Sequence, residues 1–222
     1  MNIRMKFEKK GTMKFIGHLD LLRNLQRIFK RSEFPIAFSE GFNPHQIMSI
    51  GAPLSVGITS SAEYIDVKTT EDIIINKQID IINKHMPEGL KIIDMTVLPE
   101  KAKSAMALID AAKYKITSQN IEFTDEMINE LMLQDTIIIK KKNKKNVWKE
   151  IDIKPGIFNI TKLNNNTLIL LIATGSKMNV KPSVVLECLC NTNSILYNKF
   201  DFKIHRDEIY YMSDNEFIPL DK

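Results

Sequence analysis

The chain has 222 residues, 44% hydrophobic and 26% charged, with a formal net charge of +4. This is a globular composition, long for one small domain and right for two units of about 100 residues each. It excludes a polybasic tail, and no apolar run approaches the ~20 residues of a membrane span. The charge is uneven. Residues 1–50 hold nine Lys and Arg against four acids, a local balance of +5, and the other 172 residues carry −1. A positive field is therefore concentrated in the first quarter of the chain.

Ile3, Met5 and Phe7 alternate with Arg4, Lys6 and Glu8, the pattern of a half-buried strand. This start lacks the apolar core and cleavage site of a signal peptide, so a cytoplasmic protein with no membrane partner is expected. Over 19–31 the period becomes helical. Leu21, Leu22, Leu25, Ile28 and Phe29 form one stripe, with Arg23, Arg27, Lys30 and Arg31 on or near the opposite face. Pro35 ends this helix, and 36–38 starts a second strand that resumes at 47–50. Between them stands Ser39-Glu40-Gly41-Phe42-Asn43-Pro44-His45, which adds a hydroxyl, an aromatic ring, an amide and an imidazole to two turn formers. A bare connection needs only the turn formers. The extra side chains suit a loop that presents groups to a ligand, or one that bonds its own backbone.

A Gly/Pro loop at 51–57, a strand at 62–69, a helix at 73–86 stopped by Pro87 and Gly89, and a strand at 90–98 complete a first set of elements. Beyond a connection over 100–112 a similar order begins again. It comprises a strand at 113–118, a helix from an N-cap at Thr124 or Asp125 to about 132, and a strand at 136–141 with a hairpin partner at 147–153. A second hairpin, 158–163 and 168–173, follows, then a helix from Pro182 to Cys190 and a last strand within 200–212. The expected architecture is α+β: two tandem ferredoxin-like (split βαβ) units, 1–99 and 113–222, the second with inserted strands. One continuous α+β sheet is the alternative.

Arg4 and Lys6 leave the first strand on its non-core face, and Lys14 precedes the basic helix. Together with Arg23, Arg27, Lys30 and Arg31 they form the footprint expected for a phosphodiester backbone, with Phe42 to stack on a base and Asn43 beside it. The lysine-rich run 140–145 is either a solvated hairpin tip or an extension of that footprint. His18, Asp20 and His45 are the candidate catalytic residues, since two imidazoles and a carboxylate suit acid–base work or a metal. Their spacing is not that of a metal motif, and no metal or other cofactor is expected. Gly51 and Gly57 lack the Gly-Lys-Ser/Thr ending of a nucleotide-binding loop, and there is no Gly-x-Gly-x-x-Gly and no Cys-x-x-x-Cys-x-x-Cys. Cys188 and Cys190, two apart on a helix, point about 160° apart and read as buried thiols.

Two stretches carry a family resemblance: Gly11-Thr12-Met13-Lys14-Phe15-Ile16-Gly17-His18-Leu19-Asp20-Leu21-Leu22-Arg23, and Phe38-Ser39-Glu40-Gly41-Phe42-Asn43-Pro44-His45. With Gly51-Ala52-Pro53-Leu54-Ser55-Val56-Gly57, they make the first sixty residues resemble the radical-SAM-linked proteins, a bacterial family without an assigned biochemical function. The second half is similar only loosely, through Lys181-Pro182-Ser183 and His205-Arg206-Asp207-Glu208-Ile209-Tyr210. The resemblance implies a cobalamin-binding radical-SAM protein as partner, and a setting in RNA metabolism. The expected function is thus an RNA-binding accessory, without catalysis of its own, that presents tRNA or rRNA to a radical-SAM enzyme. An RNA-processing or RNA-modifying enzyme using His18, Asp20 and His45 is the alternative, and a protein–protein adaptor a third reading.

Overall fold

The structure, a computed structural model, describes residues 1–142 and 146–222. In chain order its elements begin with β1 (Asn2–Lys9), α1 (His18–Arg31), β2 (Met48–Ile50), β3 (Thr59–Lys68), α2 (Ile75–Asn83), β4 (Leu90–Leu98) and α3 (Ala105–Leu108). There follow β5 (Ala111–Ser118), α4 (Asp125–Met132), β6 (Ile138–Lys142), β7 (Trp148–Asp152), β8 (Ile157–Asn164), β9 (Thr167–Ala173), α5 (Pro182–Thr192), β10 (Phe202–Ser213) and β11 (Glu216–Pro219). The fold is mixed α and β, with mostly antiparallel strands. Among the described residues no helix is long and apolar enough to cross a membrane.

Two compact units divide the chain: Met1–Asp110 together with His205–Lys222, and Ala111–Ile204. The junction falls within the expected connection 100–112, and residues 205–222, expected in a C-terminal unit 113–222, group with the first unit. The reason is strand pairing at long range. His205 and Arg206 of β10 lie in parallel register with Thr59 and Ser60 of β3.

In the first unit β1 lies between β4 and β3, antiparallel to both. The far edge of β3 is shared by β2, antiparallel, and by β10, parallel. Strand β11 closes back on β10. The core is the one the alternation and the helical stripe announce: Ile3, Met5 and Phe7 of β1 meet Leu21, Leu25, Ile28 and Phe29 of α1. Each such side chain contributes about 1.5–3 kcal/mol on burial. Residues 36–38 make only isolated bridges, Ile36 to Thr69 and Phe38 to Gln46, and the paired strand is β2. The second helix is also shorter than its apolar pattern, ending at Asn83 rather than 86.

The opposite face of β1 is not open to solvent. Arg4 is 4% exposed and forms a two-pronged ion pair with Asp66 (2.8 and 3.1 Å), while also donating to the carbonyls of Lys103 and Leu220. Lys6 Nζ lies 2.6 Å from Glu208 and 2.8 Å from Asp221, and Tyr64 donates its hydroxyl to Glu208 at 2.7 Å.

In the second unit β9 lies between β5 and β8, antiparallel to both. Thr124 caps α4, its hydroxyl accepting from Met127 N–H at 3.2 Å. Strands β6 and β7 form a separate two-stranded hairpin. Residues 143–145 of the lysine-rich run lie outside the described residues. On α5 Cys190 is buried and Cys188 half-buried, and burial pushes both thiols up.

Candidate nucleic-acid interface

Helix α1 turns its buried stripe to the sheet, which fixes where its cations go. Arg23, Arg27, Lys30 and Arg31 are exposed. Arg23 meets Asp20 at 3.4 Å one turn back, an exposed pair that contributes at most about 1 kcal/mol. Among the described residues no carboxylate forms an ion pair with Arg27, Lys30 or Arg31. Lys30 and Arg31 stand in the last turn, where cations complement the helix dipole.

The loop after Pro35 is built around its own side chains. Its neck is closed by Ser39 and His45. Ser39 N–H donates to the His45 carbonyl at 2.8 Å, and His45 N–H donates to Ser39 Oγ at 3.1 Å. Ser39 Oγ also lies 2.8 Å from His45 Nδ1. The Ser39 hydroxyl thus engages both the backbone and the ring of His45. Gly41 sits at φ +109°, a conformation that an L side chain strains to adopt. The next residue, Phe42, is fully exposed at 105%, and Asn43 and Pro44 are exposed beside it. Gln46 leaves the neck buried and donates through Nε2 to the Gln26 carbonyl of α1 at 3.2 Å.

Between helix and loop runs an open groove of about 740 Å³. Arg23, Arg27 and Lys30 line one wall, and Phe38, Pro44 and His45 the other. Phe42 and Asn43 are not part of its lining. They precede His45 by three and two residues in the same loop. Glu33 also lines the groove, which thus sets three cations and one carboxylate beside apolar and ring surface.

The other predicted residues fall elsewhere. His18 and Asp20 are in the first turn of α1, whereas the loop is fastened at Gln26. His18 is eight residues of helix, about 12 Å of axis, from Gln26, and neither His18 nor Asp20 lines the groove with His45. Among the described residues no group of three or more His, Cys, Asp or Glu is gathered as for a metal. Lys14 is half-buried, its Nζ 5.0 Å over the Phe15 ring, and its carbonyl accepts from Gly57 N–H at 2.8 Å. It therefore belongs with the 51–57 loop and not with the groove. Arg4 and Lys6 are corrections to the expected footprint. Alternation identified their face, but carboxylates and carbonyls of the same unit occupy both side chains.

Sequence reasoning missed a buried charged cluster near the start of α1. Arg206, 1% exposed, donates to Glu63 Oε1 (2.9 Å from Nε) and to the Ala52 carbonyl (2.8 Å). Lys9 is equally buried and donates to the Ile16 carbonyl at 2.8 Å. Desolvation lowers the Lys9 pKa and the Arg206 charge adds to that, while the charge of Glu63 opposes it. One signal was present: Lys9 continues the inward alternation of Ile3, Met5 and Phe7.

The fold and groove define an α+β protein with a basic, aromatic-edged surface. The chain belongs to the DUF2344 family, described as an uncharacterized protein conserved in bacteria, whose model matches residues 2–182. No curated protein matches it. Among solved structures, a Cbf5-Nop10-Gar1 complex is similar with a TM-score of 0.47 and 7% identity over 96% of this chain and 50% of that one. A heavy metal efflux pump is similar with a TM-score of 0.25 and 10% identity over 94% of this chain and 28% of that one. The chain thus spans half or less of either, and likenesses this distant carry no functional weight.

Proposed function

We propose that this protein binds single-stranded RNA in the groove between α1 and the 38–46 loop, and that it serves as a non-catalytic accessory presenting tRNA or rRNA to a radical-SAM enzyme. The observation that carries the RNA reading is Phe42, fully exposed in a closed and anchored loop whose Phe38, Pro44 and His45 line a groove with three cations. A ring held in water by a rigid loop gains nothing for the fold. A base stacked on such a ring contributes about 1–3 kcal/mol. Arg23, Arg27 and Lys30 supply phosphate contacts, each adding salt dependence. The accessory role rests on the resemblance of the first sixty residues to the radical-SAM-linked proteins, with a cobalamin-binding radical-SAM protein as partner. That neither His18 nor Asp20 lines the groove with His45 favours binding over catalysis. The same reading takes the order β1-α1-β2-β3-α2-β4, with its strands arranged β4-β1-β3-β2, as a split βαβ unit of ferredoxin-like type, with a second such unit after it.

The test is anisotropy of a labelled single-stranded RNA against the full chain at several salt concentrations. Phe42→Ala should weaken binding by roughly 5- to 100-fold, in line with the loss of one stacked base. Equal binding by wild type and F42A, or no binding by either, removes the groove from consideration. Co-purification with the cobalamin-binding radical-SAM protein tests the partner separately.

A further inference from the structure

The β6–β7 hairpin carries an unneutralised pair of lysines beside the molecule's single tryptophan, and nothing in the α1 groove involves it. Its base is fixed. Ile137 and Ile153 are buried, Ile153 N–H donates to the Ile137 carbonyl at 2.9 Å, and Ile137 N–H donates to Asp152 Oδ1 at 2.9 Å. Beyond that base the arms are almost wholly exposed. A two-stranded hairpin is marginal by itself, so its side chains should at least agree with one another. They do so on one face only, where Lys140 lies 3.8 Å from Glu150 and Lys142 Nζ lies 5.0 Å from the centre of the Trp148 ring.

On the other face Lys141 stands directly opposite Lys149 in the strand register. Like charges in that position destabilise a hairpin, and among the described residues no carboxylate pairs with either. Over 138–152 the sequence has six lysines and two acids. Trp148, next to Lys149, is 61% exposed. A polyanion with planar rings answers both features: a phosphate between the two ammonium groups relieves their repulsion, and a base stacks on the indole or displaces the Lys142 ammonium from it.

We propose that the β6–β7 hairpin is a second nucleic-acid contact of this protein, with Lys141 and Lys149 holding backbone phosphate and Trp148 stacking on a base of single-stranded RNA. It rests on the reading that the chain binds RNA, but it assigns a site of its own.

Trp148 is the protein's only tryptophan, so its fluorescence reports this site alone. The full chain is titrated with an unlabelled single-stranded oligouridylate of about ten nucleotides, enough for the ~4–16 that one such surface engages. Anisotropy of the same oligonucleotide carrying a label reports binding anywhere. Saturable quenching that weakens with salt is expected. Lys141→Gln with Lys149→Gln should lower the affinity read by quenching by roughly fivefold per lysine at 0.1 M salt, from the counterion term of a single strand. Lys77→Gln, at an exposed lysine of α2 that belongs to neither site, should leave the quenching unchanged. Both variants change exposed side chains, and circular dichroism melts identical to wild type confirm that the fold is kept. Anisotropy binding without quenching overturns the hairpin site and leaves the groove standing. Quenching unaffected by K141Q/K149Q also overturns it. An emission change with polyglutamate but not with RNA makes the hairpin a protein-docking element and overturns it as well. Absence of both signals with RNA removes the RNA reading altogether.

Discussion

Gln46 and Gln26 are joined across twenty residues by one hydrogen bond, from the Gln46 Nε2 to the Gln26 carbonyl at 3.2 Å. That bond fastens the exit of the loop to the middle of α1 and fixes the width of the groove. The Gln46 side chain is buried, and among the described residues its Oε1 has no partner. Replacement by Ala removes a bond with a net contribution of about 0.5–1.5 kcal/mol. Q46A should therefore lose about 1 kcal/mol in urea denaturation and bind RNA several-fold more weakly, with the salt slope unchanged. An unaltered affinity at reduced stability separates loop anchoring from binding.

Arg23, Arg27 and Lys30 are exposed on the groove wall, so their neutralisation should not disturb the core. The triple change to Gln is expected to leave the melting temperature within a few degrees of wild type. The slope of log affinity against log salt should fall by roughly 0.7 for each phosphate that the variant no longer neutralises. A variant that unfolds puts the helix phase in error, and an unchanged slope moves the footprint off α1.

His45 serves the loop as a hydrogen-bonding group on Ser39. His45→Gln keeps a donor and an acceptor within reach of that hydroxyl, whereas His45→Ala keeps neither. The Gln variant should retain most RNA binding and the Ala variant should lose several-fold. If Gln abolishes the activity of the reconstituted radical-SAM pair while RNA affinity and stability stay normal, the ring itself takes part in chemistry, because an amide does not titrate near neutrality.

The buried pair of Glu63 and Arg206 is a stability element. Glu63→Ala leaves the Arg206 guanidinium buried without its carboxylate, at a cost of about 3–5 kcal/mol. Adding Arg206→Met to the same chain should recover a substantial part of that loss, since a flexible apolar side chain needs no counter-charge. Chemical denaturation of the two variants decides it. A double variant no more stable than E63A argues that packing, and not charge, holds this corner.

Alkaline stability should depend on Tyr64. Burial first, and then the hydrogen bond to Glu208, push its hydroxyl well above the ordinary range. The folded chain therefore keeps this proton at pH values where the unfolded chain releases it. The resulting stability is fully present below about pH 10 and is lost above it, by up to ~1.4 kcal/mol per pH unit. Tyr64→Phe should flatten the decline between pH 10 and 11.5 in melting experiments, although it lowers stability at pH 8. A slope identical to wild type assigns the alkaline loss to other groups.

Local periodicity was enough to place β1, the apolar stripe of α1, the start of α4 at Thr124 or Asp125, and both hairpins of the second unit, because each of those features is decided by neighbours a few residues apart. The same holds for one of the two readings of the 39–45 loop, that it bonds its own backbone, which Ser39 does. Tertiary structure decided the rest. Alternation put Arg4 and Lys6 on one face of β1, but only residues about 60 to 215 positions away cover that face, with Asp66, Glu208 and Asp221 as the partners. Likewise His18 and His45 looked like companions in the sequence, but only His45 lines the groove. Whether a charged residue is free to meet a ligand depends on which distant strand is laid against its sheet, and pairing of that range leaves no periodic trace in the chain.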